Sequence, residues 1–365
     1  MISSIRKSAI SVVLLILGGC AVFGPRPTEE EKALLAGIRK NLSYEYTQPR
    51  LVQGELVLTI SDIRPVSADS LARLREKYGI PAEAPPRLEI WSAGMKNYGT
   101  QFLVSEEKID PAPEMSYLEH EYTNRIHYWW LPDSLDPQDS VRISRTFTYI
   151  TFDYRPDVNV GREGDYWEYL NEDIRKKYTV SERFLEQDQA LQDTVAKVTA
   201  GVENPVLQAR AIYDWIQKTM TYVYPPQERG VRHAFASREG DCGQYSALFI
   251  TMARIAGIPA RQQSGFNFYP GNTGAHVWSE IFLPWKGWVP VDVTREDGFF
   301  HLDNGRLIAS TGLNIPLEPV PEWASLEFSE VADDRTDFMQ MYTLLNFGYS
   351  ATFRVERHVH RSVKF

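Results

Sequence analysis

A chain of 365 residues, 43% hydrophobic and 24% charged, has ordinary globular composition and is long enough for two domains with sizeable cores. Its formal net charge is −9 at pH 7, and loss of a leader holding Arg6 and Lys7 leaves the remainder more acidic still. That balance argues against a nucleic-acid partner, whose phosphates demand basic surface.

Residues 1–20 read as a targeting segment, with Arg6 and Lys7 at its start and an apolar run from Ala9 to Leu17. The run is too short to cross a hydrocarbon core, which takes about 20 apolar residues. Its ending, Leu17-Gly18-Gly19-Cys20, resembles a bacterial lipobox. That resemblance implies acylation of Cys20, cleavage before it, and a chain held by lipid at the extracytoplasmic or periplasmic face of the cell envelope. An ordinary secretory signal with an incidental cysteine is the plainer alternative. With Cys20 acylated, Cys242 is the one remaining thiol, so no disulfide can form within the chain.

Residues 21–43 form a tether and a short helix, opened by the capping box Thr28-Glu29-Glu30-Glu31. The pattern over 44–155 is one of short strands, including 56–60, 87–91, 100–104 and 141–154, which predicts a β-sandwich. Trp129 and Trp130 read as core and sheet-edge packing. A polar linker is expected over 156–178. Helical spacing then takes over, from a cap near Ser181 to Gly201 and again behind Asn204-Pro205. The domain so begun is drawn at 179–310, and 311–365 is left as an extension of uncertain structure with no chemically readable motif.

Tyr245, Leu248, Phe249, Met252 and Ala256 recur at helical spacing, so a helix is predicted from about Cys242 to Ala256, stopped by Gly257 and Pro259. Cys242 then lies in the first turn, where free backbone N–H groups and the helix dipole favour a thiolate. Gly240 and Gly243 leave room for a substrate carbonyl to approach it. Downstream, 276–282 and 288–294 read as a hairpin that can set Asp292 beside His276. A carboxylate there fixes the imidazole tautomer and supports a thiolate–imidazolium pair. The Cys242 amide is one oxyanion donor, and Gln244, Tyr222 and Tyr224 are open candidates for the second. His120, His127, His233 and His301 lack such a setting. One mature cysteine and scattered histidines predict no metal site, and no cofactor is expected.

The segments Gly240-Asp241-Cys242-Gly243-Gln244-Tyr245, Ala256-Gly257-Ile258-Pro259-Ala260-Arg261, Ala275-His276-Val277-Trp278-Ser279-Glu280 and 287–294 resemble the transglutaminase-like superfamily. The resemblance covers about 205–295. It implies an α+β protein, an N-terminal β-sandwich followed by a papain-like, transglutaminase-like core of helices against an antiparallel sheet. It also implies Cys242 as nucleophile, His276 as general acid/base and Asp292 as orienting acid. The expected activity is hydrolysis of a peptide or isopeptide amide through a thioester, on a protein or peptide substrate, with cell-wall peptide among the candidates. Protein cross-linking by amine transfer and a non-catalytic tethered scaffold are the alternatives.

Overall fold

The computed structural model describes residues 25–131, 140–160, 163–324, 331–332, 335–336 and 339–365. The leader, Cys20 and residues 132–139, whose Pro and Asp residues read in the sequence as a turn between strands, lie outside the described residues. The expected capping box is present: Thr28 accepts from the Glu31 amide and Glu31 from the Thr28 amide, opening the helix Glu29–Arg39.

Two four-stranded antiparallel sheets face each other as a sandwich. The first runs Tyr349–Lys364, Tyr46–Pro65, Val141–Tyr154, Gln101–Asp110 and the second Thr343–Phe347, Arg87–Ala93, Arg125–Leu131, Met115–Leu118. Leu58 and Ile60 from the first sheet meet Leu88, Ile90 and Trp129 from the second in one buried cluster. Trp129 is buried and donates its indole N–H to the Pro111 carbonyl, whereas Trp130 is exposed, as core and edge positions require.

Strands 343–347 and 349–364 come from the segment left without a structure in the sequence. They supply one strand to each sandwich sheet, and the last strand pairs with Tyr46–Pro65 along almost its whole length.

The α+β core follows. Its antiparallel sheet runs Gly287–Val291, Asn272–Leu283, Ala260–Tyr269, Arg306–Thr311. Helices Gln189–Val198, Pro205–Thr219, Val231–Ser237 and Cys242–Ile255 share a hydrophobic cluster with it. The Cys242–Ile255 helix is buried on nearly all sides, with Leu248, Phe249 and Met252 fully enclosed. Phe266, Phe268 and Leu307 of the sheet pack into a cluster shared with Val52, Leu56 and Phe147 of the sandwich.

Two expected boundaries move. The helix expected from Ser181 begins at Gln189, capped by Asp188. Ser181 accepts from the Gln187 amide instead, while Arg254 of the buried helix holds Glu182 at 2.6 Å and the Val180 carbonyl at 2.9 Å. Those tertiary bonds keep 179–188 irregular. The supposed linker carries helices Glu163–Tyr169 and Glu172–Tyr178, and Tyr166 is fully buried with its hydroxyl on the Phe282 carbonyl.

Sandwich and core are joined by close approach. A Cβ on Gly54 would lie 2.2 Å from the Phe268 ring, so only glycine lets that ring seat under the strand. Arg50, 1% exposed, donates to Ser362 in the sandwich and to the Phe268 and Asn304 carbonyls in the core, and so satisfies a buried charge with dipoles. Gly265 is the cross-strand partner of His276, and a Cβ there would lie 1.9 Å from the Leu307 carbonyl oxygen. Gly265→Ala must displace backbone and is expected to cost about 1–3 kcal/mol, as overpacked cores do. A lowered urea midpoint at unchanged slope checks this.

Candidate active site

The Cys242 thiol is placed by its neighbours in sequence. Asp241 is the helix cap: its Oδ1 accepts from the Gly243 and Gln244 amides at 3.0 and 3.2 Å, and its Oδ2 takes Arg229 at 2.6 Å. Cys242 is thus the first helical residue, partly exposed, beside a fixed cap and at the positive end of the dipole. Just before it, Gly240 pairs in parallel with Tyr222, which brings that tyrosine to the thiol.

His276 and Asp292 arrive from the hairpin Asn272–Leu283 and Gly287–Val291, in which Ser279 opposes Val291. The return strand ends at Val291, one residue before Asp292, rather than running on to Thr294 as the sequence predicts. A tight loop takes over because the Asp292 amide donates to the Gly298 carbonyl, and a Cβ on Gly298 would lie 2.0 Å from the Asp292 carbonyl oxygen. Asp292 nevertheless faces the imidazole. His276 Nε2 and Asp292 Oδ2 are 2.8 Å apart, both groups buried, and the imidazole also hydrogen-bonds the Cys242 side chain. With Nε2 on the carboxylate, Nδ1 is the nitrogen left for the sulfur.

The carboxylate has two further partners that the sequence did not disclose. Arg306 donates to Oδ2 at 3.0 Å, and the Thr294 hydroxyl donates to Oδ1 at 2.6 Å. Burial by itself disfavours the charged Asp292, but His276, Arg306 and Thr294 outweigh it and hold the carboxyl well below the usual range. Burial likewise disfavours a charged imidazole. Asp292, aided by Cys242, reverses this and raises His276 from 6.5 to about 9, while Arg306 works to lower it.

The three candidate oxyanion donors separate. Gln244 is buried and its Nε2 is committed to the Glu228 carbonyl at 2.6 Å. Tyr224 is an exposed rim residue. Tyr222 lies against both the amide and the thiol of Cys242; burial first, then the Cys242 and Asp241 charges, push its phenol up to about 12. The cleft at the thiol measures about 380 Å³ and includes Tyr222, Arg229, Gly274, Gln340 and Arg357. His127 and His301 pair with Glu107 and Asp153, away from this cleft. Among the described residues, no three of His, Cys, Asp and Glu are grouped so as to hold a metal ion.

Residues 192–293, which contain the whole Cys242–His276–Asp292 constellation, match the model of the transglutaminase-like superfamily. The chain carries a transglutaminase-like domain. Part of the chain is similar to the uncharacterized protein YebA of Bacillus subtilis (strain 168), 24% identical over 146 residues, 33% of this chain and 20% of that protein. It is also similar to a protein-glutamine gamma-glutamyltransferase of Pseudomonas aeruginosa, 30% identical over 101 residues, 24% of this chain and 15% of that protein. The matches span a fifth or less of those relatives' length. A crystal structure from Cytophaga hutchinsonii, provisionally assigned as a cysteine protease, aligns with a TM-score of 0.58 at 17% identity, over 86% of this chain and 92% of that one. The matched residues 192–293 thus lie within a mixed α/β chain whose fold is similar to that structure over most of its length.

The opposed effects on His276 give a prediction with two signs. Asp292→Asn removes the main opposition to burial and should lower the imidazole pKa, whereas Arg306→Gln removes a repelling charge and should raise it, both read from ring-proton shifts in NMR titrations. Because the folded pKa exceeds the unfolded one, the proton stabilises the fold fully below pH 6.5 and ceases to as pH rises through about 9. Wild-type stability relative to Asp292→Asn should fall across that window.

Proposed function

We propose that this chain is a thiol enzyme acting on carboxamides, with Cys242 as nucleophile, His276 as general acid/base and Asp292 as the group that orients the imidazole. The observation that carries this reading is the 2.8 Å contact of His276 Nε2 with a buried Asp292, while the other side of the ring meets a cysteine at a helix start. A charged imidazole there stabilises a thiolate and holds the proton that the leaving nitrogen needs.

In the first half-reaction the Cys242 sulfur adds to the carbonyl carbon. The resulting oxyanion is met by the Cys242 amide and the Tyr222 hydroxyl, and His276 protonates the nitrogen as the C–N bond breaks. Water then adds to the thioester, gives a proton to His276, and the C–S bond breaks to free the acid and the thiol. We favour hydrolysis of a peptide or isopeptide amide because the Cys242 thiol is partly exposed in its cleft, within reach of water. Amine transfer uses the same three residues, and the glutamyltransferase relative supports it as the second reading. We further propose that lipid on Cys20 holds the chain at the bacterial cell envelope, on the strength of the Leu-Gly-Gly-Cys ending.

Two experiments test these readings. In a Cys20→Ser chain, where Cys242 is the only thiol, iodoacetamide should alkylate the folded protein, and His276→Ala should slow that reaction at pH 7 at least tenfold. A thiol that stays inert in the native protein rules out the enzyme reading. Separately, the wild-type chain expressed in a bacterium should fractionate with membranes and incorporate labelled palmitate, and Cys20→Ser should lose both; a soluble wild-type chain contradicts the anchor.

A further inference from the structure

The cleft beside Cys242 has one wall that the transglutaminase-like domain does not supply. Arg357 lies on the last strand, Tyr349–Lys364, opposite Leu56 of the sandwich, and its carbonyl oxygen accepts from the Thr273 hydroxyl at the start of the His276 strand. Its side chain lines the same cleft as Cys242, Gly274 and Ala275. Among the described residues no carboxylate lies within ion-pair distance of this guanidinium and none of its N–H groups has an acceptor; its Nε is out of contact with water as well. Burial lowers the Arg357 pKa, opposed by the Tyr224 phenol, the direction expected of a cation held partly out of water with no anion beside it.

That arrangement is costly unless something completes it. A guanidinium presents five donors in a planar fork suited to a carboxylate, and burying its Nε without an acceptor forfeits part of its hydration. The other cleft arginine is not in this position. Arg229 is occupied by Asp241 at 2.6 Å and belongs to the clamp that fixes the helix start. In a chain of net charge −9, a cation kept free beside the nucleophile sets a local field opposite to that of the whole.

We infer that Arg357 binds a carboxylate of the acyl donor, so that the site takes anionic peptides. The inference rests on Cys242 being the nucleophile. A carboxylate on the donor pairs with the fork, and its scissile carbonyl is thereby held over the sulfur. The specificity element thus comes from the strand Tyr349–Lys364, while the reacting groups come from the core.

Two haloacetates of nearly equal size test this on the full chain carrying Cys20→Ser. Iodoacetate bears the carboxylate and iodoacetamide does not, and in both the sulfur displaces iodide. The ratio of their rates at pH 7 is expected to fall about tenfold in Arg357→Gln and to return in large part in Arg357→Lys. Because His276 contributes equally to the ratio in all three proteins, only the Arg357 charge is read. An equal ratio in the wild type and Arg357→Gln overturns the inference. Failure of both reagents to modify the folded protein overturns the nucleophile reading and this one with it. Bromoacetyl-glycine and bromoacetyl-glutamate 1-amide, each compared with its neutral amide, then separate a chain-terminal from a side-chain carboxylate. A loss in Arg357→Gln confined to one probe identifies the source, and loss in neither overturns the assignment to a peptide.

Discussion

A single buried carboxylate organises this molecule's chemistry. Asp292, 1% exposed, cannot be ionised in the interior without partners, and it collects them from three places: His276 on one strand, Arg306 on another and Thr294 in its own loop. Those bonds tie the hairpin to the fourth strand of the core sheet and fix the plane of the imidazole. They also set a tension. Arg306 stabilises the carboxylate and disfavours the imidazolium, so the proton on His276 is held by a balance of two charges rather than by one. Loss of either neighbour shifts both groups, which is why the pair is best considered as a unit.

The placement of the thiol follows a parallel logic. A helix start is a weak anchor, since terminal turns fray. Here it is clamped from outside by Arg229 on Asp241, and from below by a helix whose apolar residues are enclosed on nearly every side. The thiol is therefore braced through its helix cap, and the imidazole and carboxylate through each other and Arg306.

Much of this was legible in the sequence, for reasons that differ by residue. Cys242, His276 and Asp292 were visible because local rules apply to each: helical spacing behind the cysteine, and alternation along a hairpin for the other two. Tyr222 was visible only as one of several polar neighbours, and the parallel pairing with Gly240 is what distinguishes it. Arg306 and Arg357 carried no signal at all. Their strands pair with segments far away in the chain, and such pairing leaves no periodic mark on the residues between. The irregular stretch 179–188 misled for the opposite reason, since Ser181 and Glu182 look like a helix cap until Arg254 claims the glutamate. Local propensity yielded to a tertiary bond.

The final strand has a consequence for timing. Tyr349–Lys364 pairs with Tyr46–Pro65, so the earliest long strand of the fold waits for the latest. Closing so long a loop costs chain entropy that no local contact repays beforehand. Until synthesis has reached residue 364, the strand Tyr46–Pro65 keeps an open edge, and Arg357 is not yet in place beside the Cys242 thiol. The thiol, imidazole and carboxylate all precede residue 293, whereas the wall that faces them comes from the strand Tyr349–Lys364. The cleft beside Cys242 is thus closed by a strand made well after the residues it faces.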